Sequence, residues 1–143
     1  MLQIKIALPD EISWINTQYQ EVNFAPSVFE NEIIAIAEFN SIKAGLGRLV
    51  KIAPGVYELG GIYVLSEHRN HKIATSIIEF LLNQAGAKET IFCIPFESLS
   101  PFYQRFGFKK VTSLEIAPAV LIEKYTWCQK TYKDPVDLLI INH

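Results

Sequence analysis

Between Glu32 and Val64 the chain runs as three apolar, β-rich stretches separated only by short polar breaks, and this limits its fold more than any other feature. The stretches are Glu32–Phe39, Ala44–Ile52 and Val56–Val64. The breaks are Asn40-Ser41-Ile42-Lys43 and Ala53-Pro54-Gly55. Strands joined by turns this tight pair antiparallel with their neighbours, so the segment predicts a three-stranded meander. After Val64 the period changes. Ile73, Ile77, Phe80 and Leu81 recur at helical spacing, Ile78 and Leu82 widen the face, and Gly86 is placed as a stop.

Ahead of the meander, Ile4 to Leu8 alternates with Gln3, Lys5 and Ala7 and reads as a first strand ended by Pro9-Asp10. Asp10 or Ser13 is placed to cap a helix carrying Ile12, Ile15 and Tyr19. Beyond the long helix, Thr90 to Ile94 reads as a buried strand. Ser100-Pro101 opens a short helix over residues 101 to 106, which Gly107 closes. Phe108 to Val111 continues extended, with a further run to Ala117. Residues 118 to 132 carry no single period, and Val136 to Ile141 is a final apolar strand. This order predicts an α+β fold: a central, mostly antiparallel sheet with helices on both faces, in one domain of residues 1–143.

Charge and spacing narrow the function classes. Thirteen Lys and Arg against 15 Asp and Glu leave a formal charge of -2, with no basic excess to gather a nucleic-acid backbone. No run reaches the ~20 apolar residues that span a bilayer, and the first ten residues lack the pattern of a secretory leader. The expectation is a cytoplasmic protein with neither nucleic acid nor membrane as partner. Cys93 and Cys128 do not combine with His68, His71 or His143 at metal-ligand spacing, so no metal site is expected.

The junction from Gly60 to Thr75 carries the chemistry. A strand runs into a polar turn and then a helix, whose first N–H groups have no internal partner. With the helix dipole they form an anion site suited to a pyrophosphate, and Arg69 and Lys72 add charge there. Gly60-Gly61 marks a bulge or a close approach by a ligand. The residues alone lead to a phosphate-bearing ligand at a helix N-terminus, a nucleotide among the candidates, or to a solvated turn carrying two cations.

The stretch from Leu59 to Leu82 resembles the acyl-CoA-binding motif of the GNAT acyltransferase superfamily: an apolar strand ending in valine, four residues, then Arg/Gln-x-x-Gly-x-Gly/Ala opening a helix. Val64, Arg69 and Ala74 stand at the valine, the leading residue and the final small residue. Ser100 to Phe108 resembles the family's second motif, an aromatic-Tyr pair followed by Gly-Phe. Two departures stand out. Lys72 occupies the place of the first glycine, and the region of Phe96 and Glu97 replaces an asparagine common in the family.

The resemblance implies acetyl-CoA as donor and a primary amine as acceptor, and the expectation of one domain, with no second to recognise a large partner, favours a small molecule over an amino-acid derivative or a protein terminus. It places pantetheine in a gap between the end of the meander and the strand Thr90 to Ile94, against Ile62, Tyr63 and Val64. The phosphates then fall on Arg69, Asn70, His71, Lys72, Ile73, Ala74 and Thr75. Tyr103 matches the tyrosine that protonates the departing thiolate. Its alternative is a core tyrosine among Phe102, Phe106 and Phe108. Glu58 lies where some members keep a base, and strand alternation puts it on the face of Gly60 and Ile62. Its alternative is an exposed strand glutamate paired with a cation. Arg48 reads as a solvated strand residue or a partner for a substrate carboxylate. Glu30, Glu32 and Glu38 read as scattered surface charges or an acidic rim for a cationic amine, and His68 and His71 as exposed. A non-catalytic acyl-CoA-binding or interaction module is the competing reading. Residues 118 to 132, with Trp127, and the last strand leave room for a homodimer, as in many relatives.

Overall fold

The computed structural model describes residues 1–69 and 71–142. The strands are β1 (Leu2–Ile6), β2 (Glu32–Phe39), β3 (Ile42–Ala53), β4 (Val56–Val64), β5 (Thr90–Cys93), β6 (Lys109–Lys110) and β7 (Leu139–Ile141). The helices are α1 (Ile12–Glu21), α2 (Ile73–Ala85), α3 (Ser100–Gln104) and α4 (Ala119–Thr131). Hydrogen bonding orders the seven strands β1-β2-β3-β4-β5-β7-β6. The sheet is mixed, because β4 pairs parallel with β5 while the other described pairings are antiparallel.

The chain forms two compact units whose boundary falls inside β4. The first joins Met1–Lys51 to Leu59–Ala87. Here β1 pairs with β2 from Leu2↔Phe39 to Ile6↔Ala35, and β2 with β3 from Glu32↔Val50 to Phe39↔Ile42, with a register shift at Ala37/Glu38. Ile15, Tyr19, Ile34, Ile36 and Leu46 form a closed core. Helix α2 buries Ile73, Ile77, Ile78 and Leu81. It comes close to β3 because Gly45 and Gly47 leave room. A Cβ on Gly47 would stand 2.6 Å from Ile62 and 2.7 Å from Ile77.

The second unit joins Ile52–Glu58 to the residues from Lys88 onward. The start of β4 pairs with β5 as Val56↔Thr90, Tyr57↔Ile91 and Glu58↔Phe92. Strand β7 lies antiparallel between β5 and β6. Phe92, Leu121, Leu138 and Ile140 form its core.

Four local expectations are corrected. Neither Asp10 nor Ser13 caps α1. A 3₁₀ turn at Pro9–Glu11 precedes the helix, and the Glu11 carboxylate accepts the Leu8 N–H at 2.9 Å. Ser100 is already helical and buried, and its hydroxyl goes to Asp137 rather than to a cap. Past β6 the chain turns at Leu114–Ile116 instead of running extended to Ala117. Residues 118 to 132 are mostly helix, although Val120 and Trp127 stay exposed, which is why no single period marks them.

Candidate acyl-CoA site

In the first unit, β4 closes onto β3 through Leu65 N–H to the Ala44 carbonyl at 2.8 Å, then turns through Ser66–His68 into α2. Arg69 is exposed and folds back, its Nε donating to the Val64 carbonyl at 3.2 Å. Lys72 precedes α2 at φ 58 and ψ 28, the left-handed conformation. That conformation suits glycine and strains lysine, so the position keeps the backbone a glycine would supply while carrying a side chain. Among the described residues, the N-cap Lys72 makes no side-chain hydrogen bond to the start of α2. Its opening N–H groups, on Ile73, Ala74 and Thr75, therefore stay available to an anion beside two cations. Ile73 is buried, Ala74 and Thr75 are half-buried, and Lys72 is exposed. Asn70 lies outside the described residues.

His71 stacks on Phe39 with centroids 4.7 Å apart, and His68 meets the same ring edge-on at 6.1 Å. His71 is exposed as expected, but His68 is half-buried. Ile62 faces Gly47, and half-buried Tyr63 packs on the first core.

The close approach flagged by Gly60-Gly61 is internal. Gly61 sits at φ 61, and a Cβ there would lie 2.5 Å from the Tyr19 hydroxyl, which donates to the Gly61 carbonyl at 2.8 Å. A positive φ inside a strand breaks the two-residue alternation, so Glu58 and Ile62 cannot be assigned to one face by counting. Arg48 is not a solvated strand residue. Its guanidinium lies 4.5 Å above the Tyr19 ring and donates to Ser27 Oγ at 2.8 Å and the Ala25 carbonyl at 2.9 Å. Nor is Glu32 a surface charge. One oxygen accepts the Val28 N–H at 3.2 Å, and the other is buried without a hydrogen bond, 3.8 Å from Arg48.

In the second unit, Glu58 is buried and its carboxylate meets Lys124 Nζ of α4 at 2.5 Å. Lys124 was not anticipated from the sequence. The Leu121, Tyr125, Cys128 spacing of α4 is the signal that could have placed it on a helix. Cys93 follows Phe92, the register partner of Glu58. Burial pushes the Cys93 thiol well above its ordinary value, and the charge of Glu58 adds to this. Burial likewise pushes the Tyr103 phenol well up, helped by Cys93. The Tyr103 ring meets Phe102 edge-on at 5.3 Å and Phe108 at 6.1 Å. It is thus packed among aromatics and kept protonated. Phe96 and Glu97 form the turn after β5. The Phe96 ring lies against Tyr132 at 5.4 Å, and the Glu97 N–H bonds the Pro135 carbonyl.

Residues 30–110 match the family profile described as acetyltransferase (GNAT) domain, which is more than half of the chain and includes both motifs. No protein of curated function matches the sequence. Among solved structures, the N-acetylglutamate synthase of Neisseria gonorrhoeae, complexed with coenzyme A and N-acetyl-glutamate, superposes with a TM-score of 0.74 at 16% identity. The match covers 98% of this chain but 34% of the synthase, so this chain spans about a third of that protein. Rv2747 from Mycobacterium tuberculosis, solved in complex with CoA, gives 0.77 at 15% identity, covering 99% of both chains. A GNAT-family acetyltransferase from Staphylococcus aureus gives 0.69 at 14% identity, also over 99% of both. At these identities the structures establish the fold, the seven-stranded mixed sheet of the GNAT acyltransferases. With the profile match over residues 30–110, they show that this chain belongs to the GNAT acetyltransferase family.

Proposed function

We propose that the chain transfers an acyl group, acetyl in the simplest case, from acyl-CoA to a primary amine. The observation that carries this reading is the turn before α2. Its backbone is left-handed at Lys72, the Lys72 side chain does not cap the helix, and Arg69 and Lys72 bring two positive charges to the same place. Asn70, His71, Ile73, Ala74 and Thr75 complete the proposed phosphate cradle. Ile62, Tyr63 and Val64 take the pantetheine through their backbone. The Val64 carbonyl is already bonded to Arg69, so the N–H groups of that stretch are its contribution. One of them polarises the thioester carbonyl as the oxyanion develops. That relatives bind CoA supports the reading.

Glu58, directly or through a water, takes a proton from the acceptor ammonium. The free amine forms a C–N bond to the thioester carbon, and the tetrahedral adduct collapses by breaking C–S. Tyr103 gives its proton to the departing thiolate, the nitrogen of the new amide gives up its second proton through water to the Tyr103 phenolate, and Glu58 releases its proton to solvent. A phenol is protonated at neutral pH with or without burial, so Tyr103 has the proton to give, and its upward shift makes it a weaker acid that donates only as the thiolate develops. The acceptor is proposed to be small, and amino acids are the first to screen, since one relative was solved with an N-acetylated amino acid. A single domain over residues 1–143, working in the cytoplasm, completes the proposal. Among the described residues, no helix is long and apolar enough to cross a membrane.

A second reading, an acyl-CoA-binding module without turnover, is favoured by the Glu58–Lys124 pair, which occupies the proposed base. Tyr103→Phe separates the two. The enzyme reading expects turnover to fall by about 10² or more with acetyl-CoA binding kept. Wild-type protein that binds acetyl-CoA yet releases no CoA across an amine panel would establish the second reading.

A further inference from the structure

The first unit contains a buried polar assembly that the proposed chemistry does not use: Tyr19, Arg48, Ser27 and Glu32. Tyr19 has no exposed surface, and its hydroxyl donates to the Gly61 carbonyl, a contact joining residues 42 apart in sequence. Gly61 holds a positive φ of 61 within β4, and a carbonyl inside a protein is costly unless a donor reaches it. Tyr19 supplies that donor. It also fills the space over Gly61, where a Cβ would lie 2.5 Å from its oxygen and 3.0 Å from Arg48 Nε. Arg48 presses on the outer face of the ring at 4.5 Å and is anchored at Ser27 and Ala25, so the phenol is held from both sides.

We infer that Tyr19 is a positioning residue for acyl transfer: its hydroxyl pins the Gly61 peptide, whose φ is 61, and thereby sets the direction of the β4 amides at Ile62, Tyr63 and Val64. This rests on the proposed function in one respect, namely that those amides face the acyl donor. Reorienting them by a fraction of an ångström weakens an oxyanion contact far more than it weakens phosphate binding, because charge stabilisation depends on donors placed in advance.

The test is Tyr19→Phe, which keeps the ring under Arg48 and removes one hydroxyl. Two readouts are needed. Hydrogen exchange of the backbone amides from Gly61 to Val64 should speed up about tenfold, the scale of one lost hydrogen bond, with the β1–β2 ladder unchanged. In the presence of acetyl-CoA and an accepted amine, kcat should fall about tenfold or more while the KM for acetyl-CoA stays within about threefold. Unchanged exchange at Gly61–Val64 overturns the inference whatever the activity does. Faster exchange with kcat unchanged overturns it as well, leaving Tyr19 a structural residue only. If the wild-type protein fails to bind acetyl-CoA but the exchange effect appears, the pinning stands and the acyl-transfer reading falls.

Discussion

Gly61 and Lys72 stand on the same stretch of chain with nearly the same backbone angle, φ 61 and φ 58, yet one is glycine and the other is not. At Gly61 the space beyond Cα is filled by the Tyr19 phenol and the Arg48 guanidinium, so a side chain is barred on steric grounds as well as conformational ones. At Lys72 the residue is exposed, and only the conformational cost remains. A family glycine therefore combines two separable demands. This chain meets both inside β4 and only the backbone demand at the turn into α2. The departure at Lys72 keeps the left-handed backbone that glycine favours and adds an exposed side chain to it.

Three substitutions take that comparison apart. Gly61→Ala should cost the most, about 2–4 kcal/mol in denaturant unfolding, because a left-handed alanine and a clash with buried atoms act together. A loss under 1 kcal/mol would mean that the Tyr19 contact yields easily. Gly47→Ala supplies crowding without the angle, since the obstacles are the ends of Ile62 and Ile77. It should cost about 1–2 kcal/mol, and a cost equal to that of Gly61→Ala would show that φ contributes nothing. Lys72→Gly supplies the reverse case. It should stabilise the protein by about 1 kcal/mol by relieving strain. It should also tighten acetyl-CoA binding, while weaker binding would show that the ammonium matters more than the room it takes.

The smallest expected effect concerns the wall behind Gly61. Tyr19 is held well above its ordinary value of 10.0, chiefly by burial, and so are Tyr103 and, from 9.0, Cys93. A raised folded-state pKa means that the folded protein keeps a proton the unfolded chain gives up. The stability these groups lend is thus complete below the unfolded values and is lost as pH rises through and beyond them. Urea midpoints should be level from neutrality to about pH 9.0, the ordinary thiol value, and decline above it. Tyr19→Phe should flatten the decline above 10.0, and an identical slope would place Tyr19 in contact with solvent.

Much of the fold could be read from local pattern. The meander, α2 and the short helix before Gly107 each combine a clear period with turn chemistry at both ends, and each forms close to where the pattern puts it. The failures have a common cause in contacts between distant residues. Arg48 looked solvated because nothing near it in sequence announces that Ala25 and Ser27 accept its hydrogen bonds. Lys124 was missed because α4 leaves Val120 and Trp127 exposed among its buried positions, which blurs the period. Of the candidate site, Arg69 and Lys72 were legible as charge at a helix start. The left-handed turn at Lys72 and the pairing of Glu58 with Lys124 were not, since one is a backbone angle and the other spans 66 residues.

The central claim is that the turn from Arg69 to Thr75 holds the phosphates of an acyl-CoA. Calorimetric titration of the wild-type protein with acetyl-CoA, followed by displacement with free CoA, tests it most directly. The account predicts saturable binding that free CoA reverses. It also predicts about 2.7 kcal/mol of stabilisation at a hundred times the dissociation constant. No heat and no stabilisation at millimolar acetyl-CoA would contradict it, and would mean that Lys72 preserves the shape of the turn while closing it to the ligand.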